Sequence, residues 1–367
     1  MTTSAAADAA KRIVCVDQLR GYAIFGMLLV NAKGLFFEPV EKYLDGSSFQ
    51  AAFEAFTYQI SHHDSTNFSY ANTIAPLFVF VVGMGMRLSW LRRSQGASAW
   101  DSRKALVKRY CLLVLIGFTI YTGWLWDALT DIGLAGLLAI PLIDKKPRTR
   151  IAAAFAFVIA YQCIHSFTSY GNWSMHGKFS EIDPDYVPLL VRLVPLRDAL
   201  FGVTLNGGPL GPMSWVMMLL FGSVAYDLLS AGNEKKFMVQ CLAWGLGLCA
   251  LGYAVHMPWG DAKPVWPFAA RYMTAPFPIW ATGLCFLHLL AFYLICDTLR
   301  LRIPTFTSVG MNPLALYIFQ SLFLDVAEGF APEQLSFIAG TFGFFAFWGL
   351  IAGAAYYLHR RKIYIKL

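Results

Sequence analysis

The sequence predicts an all-α integral membrane protein of about ten transmembrane helices with both termini in the cytoplasm, and three observations support this. Hydrophobic residues fill 57% of 367 positions and charged residues only 14%, where soluble domains carry about a quarter charged. Apolar runs recur at lengths near the ~20 residues that a helix needs to cross ~30 Å of hydrocarbon. Finally, 22 of the 29 Lys and Arg residues fall in segments that would share one side of the membrane.

The runs lie at about 17–34, 69–91, 105–125, 127–143, 151–168, 211–231, 238–256, 275–297, 306–326 and 334–358. Backbone groups in lipid must be satisfied within the segment, and no alternating barrel pattern is present, so these runs are expected as helices. With the N-terminus inside, Lys11, Arg12 and Arg20 share a side with the Arg87–Arg109, Lys145–Arg150, Lys235–Lys236, Arg300–Arg302 and Arg360–Lys366 clusters. The expected organisation is a short cytoplasmic N-terminus (1–16), one polytopic domain (17–358) and a basic cytoplasmic tail (359–367). Outer segments are expected at 35–68, 169–210 and 257–274. The first of these carries Phe49, Phe53, Phe56 and Ile60, the stripe of an amphipathic helix lying on the membrane surface.

Other classes fit poorly. The net charge of +7 follows from topology, and no basic tract interleaved with aromatics points to nucleic acid. The seven cysteines are scattered through apolar runs without metal-site or disulfide spacing, so no metal is expected. The first apolar run lacks a small-residue cleavage site after it and is expected to be retained.

Polar residues in or beside the spans are the informative ones, because an ionisable group at the bilayer centre costs at least about 2.5–3.5 kcal/mol. Asp17 and Arg20 are three apart at the start of the first span, which ends near Asn31; an interfacial ion pair is the plain reading. His62 and His63 follow the amphipathic segment, with Asp64 placed to orient a ring. A neutral imidazole there could take a proton from a nucleophile or be acylated itself, or simply be solvated. Asn312 and Pro313 interrupt the ninth run, where an amide and freed carbonyls serve either a site or helix association. Asp127 and Asp131, with Trp124 nearby, either line a substrate-facing outer cavity or mark the interface.

Val16-Asp17-Gln18-Leu19-Arg20-Gly21 followed by Met27-Leu28-Leu29-Val30-Asn31 resembles the amino-terminal motif of the heparan-α-glucosaminide N-acetyltransferase family and its bacterial relatives. His62 through Asn72, then Ile74-Ala75-Pro76-Leu77-Phe78, resembles that family's histidine loop running into a proline- and phenylalanine-rich span. Aligned without gaps from Pro76, His62 rather than His63 falls on the family's catalytic histidine. Gly207-Gly208-Pro209-Leu210-Gly211 and Gly310-Met311-Asn312-Pro313 with Tyr317 are similar to further landmarks. The stretch from Asn31 to His62 is longer than the family's usual connection, and Ser65 stands where a tryptophan is common.

The resemblance implies a transmembrane acyltransferase of a bacterial plasma (inner) membrane. It would carry acetyl from cytoplasmic acetyl-CoA, a co-substrate and not a resident cofactor, to an amine or hydroxyl of an outer acceptor such as a saccharide. Arg20, Arg87 and Arg92 would hold the CoA phosphates, and Asn31, supported by Asn312, would face the thioester carbonyl. His62 would act as base or acyl carrier, with His63 and Asp64 as alternative or supporting groups. Enzymes of this type often pair as homodimers. The competing class is a small-molecule transporter using Asp127, Asp131 and the histidines as a proton relay, and a scaffolding membrane protein is a third.

Overall fold

The computed structural model describes residues 14–63, 68–120, 125–176, 206–257 and 266–365. Among them the chain is helical, with no β-strand beyond an isolated bridge between Met257 and Trp266. The helices are α1 Val14–Asn31, α2 Lys33–Tyr43, α3 Gln50–Gln59, α4 Ala71–Arg93, α5 Ala99–Ile120, α6 Ala128–Leu142 and α7 Pro147–Phe167. They continue as α8 Ser169–His176, α9 Gly208–Ser230, α10 Glu234–Ala254, α11 Pro276–Thr298, α12 Pro304–Met311, α13 Pro313–Glu328 and α14 Phe337–Arg360.

Every apolar run read from the sequence falls on a helix or on a broken pair of helices. Six helices, α4, α7, α9, α10, α11 and α14, are long and apolar enough to cross a membrane. The number is up to eight if α1 with α2, bent by 51°, and α12 with α13, bent by 92°, each form one span. The remaining two runs fall short for plain reasons. The first half of α5 carries Arg103, Lys104, Lys108 and Arg109, and α6 is a short apolar helix. Length and apolarity therefore support six to eight crossings where the sequence reading gives about ten.

The chain divides into two compact units. The first comprises Met1–His62, Ser69–Phe78 and His288–Lys366. Here α1 lies directly on α12: a Cβ at Gly21 would collide with the Phe306 carbonyl, and one at Gly310 with the Asp17 carbonyl. Such small-residue contact is how helices approach closely in lipid, where apolar burial alone gives no drive. Gln18, almost wholly buried, clamps the joint by donating to the Ile303 carbonyl at 2.9 Å and accepting from the Ile303 N–H at 3.1 Å. The sharp bend after α12 has a cause in sequence. Pro313 lacks an N–H and disfavours helical backbone at the residue before it, and the run breaks at Asn312, whose backbone is not helical.

The second unit comprises His63–Phe68 and Val79–Leu287, with Leu367. Its centre is α9, buried along most of its length. Gly222 lies against the Phe80 carbonyl and Gly83 against the Leu219 carbonyl, so α4 and α9 touch backbone to backbone. At one end of both helices lies a polar network of Arg87, Arg150 and Asp227.

Candidate active site

His62 is positioned by the end of α3. Of the four residues of the expected stripe, Phe53 and Ile60 are buried and Phe49 and Phe56 are exposed. After Ile60 the chain is tied to the approach to α4 by three hydrogen bonds in succession. The Tyr70 N–H donates to Gln59 Oε1 at 3.0 Å, and Ser69 Oγ donates to the Ser61 carbonyl at 2.5 Å. His62 Nδ1 then stands 3.0 Å from Asn72 Oδ1. Asn72 itself is only 3% exposed, so its amide is a fixed point rather than a surface group.

This geometry selects a tautomer. An amide oxygen can only accept, so Nδ1 carries the hydrogen and Nε2 is left as the proton acceptor, on an imidazole exposed to the surroundings. Asp64, expected to orient the ring, lies outside the described residues; the described partner is Asn72. His63 belongs to the second unit and is half-buried there.

Asn31 is the last residue of α1 and is exposed where the chain bends into α2. Arg20, eleven residues earlier, lies ~16 Å away along the same helix. Its guanidinium is 3.4 Å from Asp17 and donates to the Gly310 carbonyl at 3.3 Å. Asn312 is brought to this end of α1. Its Nδ2 donates to the Ile363 carbonyl at 3.0 Å and its Oδ1 accepts from the Ile365 N–H at 2.8 Å, tethering the chain after α14. Since Gly310 backs onto Asp17, Asn312 is roughly 15–20 Å from Asn31 by helix rise and is not brought beside it.

Between the two ends of α1 lies a cluster that sequence reasoning missed. The hydroxyls of Tyr22 and Tyr70 are hydrogen-bonded, and the Tyr22 ring is 6.1 Å from that of His288. The available signal was three polar-tipped aromatics in or beside apolar runs, but their joining needs the fold.

In the second unit Arg87 is anchored: Nε donates to Asp227 at 2.8 Å and Nη1 to the Ile143 carbonyl at 2.6 Å. Arg150, fully buried and also unforeseen, pairs with the other Asp227 oxygen and donates to Ser223 Oγ at 2.6 Å. Arg92 is exposed at the end of α4. Asp127 caps α6, its Oδ1 accepting from the Ala128 N–H at 2.6 Å. Asp131 is wholly buried, with neither oxygen in a well-formed hydrogen bond and the Asn206 amide as neighbour. Nearby, the hydroxyls of Tyr161 and Tyr170 both donate to the Gly207 carbonyl, at 3.2 and 2.5 Å. Burial raises the Tyr170 hydroxyl above the usual tyrosine range, keeping it a neutral donor. Gly207 and Gly208 both have positive φ, +85° and +64°, a backbone conformation that glycine adopts because it has no Cβ to clash. Trp124 lies outside the described residues. Among the described residues no group of His, Cys, Asp and Glu could hold a metal ion.

Apolar helices of crossing length define an integral membrane protein. The family model described as heparan-alpha-glucosaminide N-acetyltransferase, catalytic, matches residues 12–196, and the chain belongs to that family of membrane acetyltransferases. The match includes Arg20, Asn31, His62, Asn72, Arg87, Arg92, Asp127 and Asp131, and stops short of Asn312. No curated protein matches the chain.

Proposed function

We propose that this protein transfers acetyl from cytoplasmic acetyl-CoA to an amine or hydroxyl of a saccharide-like acceptor on the outer side of a bacterial plasma membrane. The observation that carries this reading is the His62–Asn72 hydrogen bond, which fixes the imidazole with Nε2 as base. Family membership supplies the reaction class. The distribution of basic residues supplies the direction: both termini inside, residues 17–358 forming the membrane domain, and the Asn31 end of α1 outside.

His62 Nε2 takes the proton of the attacking N–H or O–H, and the acceptor atom adds to the thioester carbonyl. Asn31 donates to the oxyanion as it develops, the carbon–sulfur bond breaks, and the proton held by His62 passes to the departing CoA thiolate. Arg20 sits at the opposite end of α1, where it faces the donor's phosphates, and the ~16 Å between them suits an extended pantetheine arm. In the second unit Arg92 has an exposed guanidinium, whereas Arg87 acts through its hold on Asp227.

Purified protein incubated with labelled acetyl-CoA tests the reading. Binding by the wild type, weakened in Arg20→Ala, and transfer abolished in His62→Ala are expected. Full transfer by His62→Ala would remove the site assignment, and no binding of any acyl-CoA by the wild type would remove the enzyme reading. Label retained on the protein without acceptor, and lost in His62→Ala, marks an acetyl-imidazole intermediate instead of direct transfer. Family membership does not favour the transporter reading.

A further inference from the structure

The first unit contains an apolar cavity of about 810 Å³ between α1, α2, α3 and α14. Eight of its twelve lining residues are phenylalanines, and Thr341 contributes the one side-chain hydroxyl among them. A saccharide or a nucleotide inside would lose its hydrogen bonds to water and regain almost none, so the lining selects a hydrocarbon. The volume lies at the upper end of small-molecule sites, about 300–1,000 Å³, enough for a long chain.

Two placements say where such a chain comes from and where it leads. Phe49, Phe337 and Phe345 line the cavity yet are 71%, 52% and 57% exposed, so it opens onto a surface that faces lipid in a membrane. The cavity lining is close in sequence to the candidate reaction centre: Leu29 lies two residues before Asn31 on α1, and Phe56 six residues before His62.

We infer that the cavity is the tail-binding site for a lipid-borne acceptor: a hydrocarbon chain docks among Phe25, Phe53, Phe56 and Phe344 and presents its head group to His62. The inference rests on the acetyltransferase reading and deepens it by naming the acceptor as membrane-anchored. An acceptor held this way needs little affinity from its head group, because diffusion in the membrane plane and the chain supply it.

Proteoliposomes containing the full chain test this in two arms. In the first, acetyl-CoA is supplied with hexadecyl glucosaminide or with methyl glucosaminide, and acetylated glycoside is quantified by mass spectrometry. The hexadecyl compound is expected to show kcat/KM higher by about tenfold or more, carried by KM. Ala52→Trp, which fills the cavity, is expected to remove that advantage and leave turnover of the methyl compound unchanged; Thr341→Phe provides a second filling variant if the first misfolds. In the second arm, a phospholipid bearing a diazirine in its chain is photolysed and adducts are mapped by peptide mass spectrometry. Adducts on 49–56 and 337–345 that disappear in the filled variants are expected. Equal kcat/KM for the two glycosides overturns the inference, as does absence of adducts in those segments. Adducts without a chain-length preference reduce the cavity to a structural lipid site and overturn it too. If acetyl-CoA fails to bind at all, the acetyltransferase reading falls separately, and the photolysis arm alone decides whether the cavity holds a chain.

Discussion

The polar groups of the first unit end in an exposed imidazole, whereas those of the second close on one another. Around His62 the bonds from Gln59, Ser61 and Asn72 run outward in sequence and leave one ring nitrogen to face the surroundings. Around Asp227 two arginines, a serine hydroxyl and two backbone carbonyls are consumed internally, and Arg150 has no exposed surface. Both arrangements place charged or ionisable groups in a largely apolar chain. The difference teaches that a polar residue in or beside a span is not by itself a sign of chemistry; what matters is whether its hydrogen-bonding capacity is already used.

The comparison is broken most directly at its ends. His62→Ala is expected to reduce acetyl transfer by about 10²–10⁴-fold, with thermal unfolding unaltered, as measured by product formation and melting of the same preparation. Asp227→Ala is expected to do the reverse: it strands two guanidinium groups, one fully buried, and should lower stability by roughly 3–5 kcal/mol in denaturant titration. A Asp227→Ala protein that melts like wild type would show that the second unit's network is not structural. Asn72→Ala removes the acceptor from Nδ1 and is expected to cut kcat by about 10–100-fold, the equivalent of 1–3 kcal/mol, with smaller effect on KM for acetyl-CoA. At Gly21, a methyl pressed on the Phe306 carbonyl should destabilise the first unit by about 1–3 kcal/mol, read as a lower melting temperature of Gly21→Ala. The smallest effect is expected at Asp127, where loss of the α6 cap in Asp127→Ala costs about 1 kcal/mol and leaves transfer intact. Loss of transfer without loss of stability in that variant would return Asp127 to the acceptor site.

The sequence by itself determined the solvent, the helical class and the approximate position of each helix long and apolar enough to cross a membrane. These follow from one-dimensional properties: the apolar length of each run and the sign of the charges between runs. It also marked the family through Asp17-Gln18-Leu19-Arg20-Gly21, Asn31 and His62, because short motifs survive without any knowledge of contacts. Only the tertiary structure decided which polar residues meet. Asn72 was in plain view ten residues after His62, yet no helical or strand period pairs positions ten apart; the fold-back between α3 and α4 does. Arg150 sits beside basic Lys145, Lys146 and Arg148 and looks like loop charge, until the approach of α9 supplies Asp227 from 77 residues away. Asn312 looked like a donor for the thioester until the bend at Pro313 turned its amide to the backbone beyond α14. Hydropathy is additive along a chain and so can be read from it. Hydrogen bonding is a property of pairs, and the pairs exist only once close helix contacts such as Gly21 against Phe306 and Gly222 against Phe80 have set the distances.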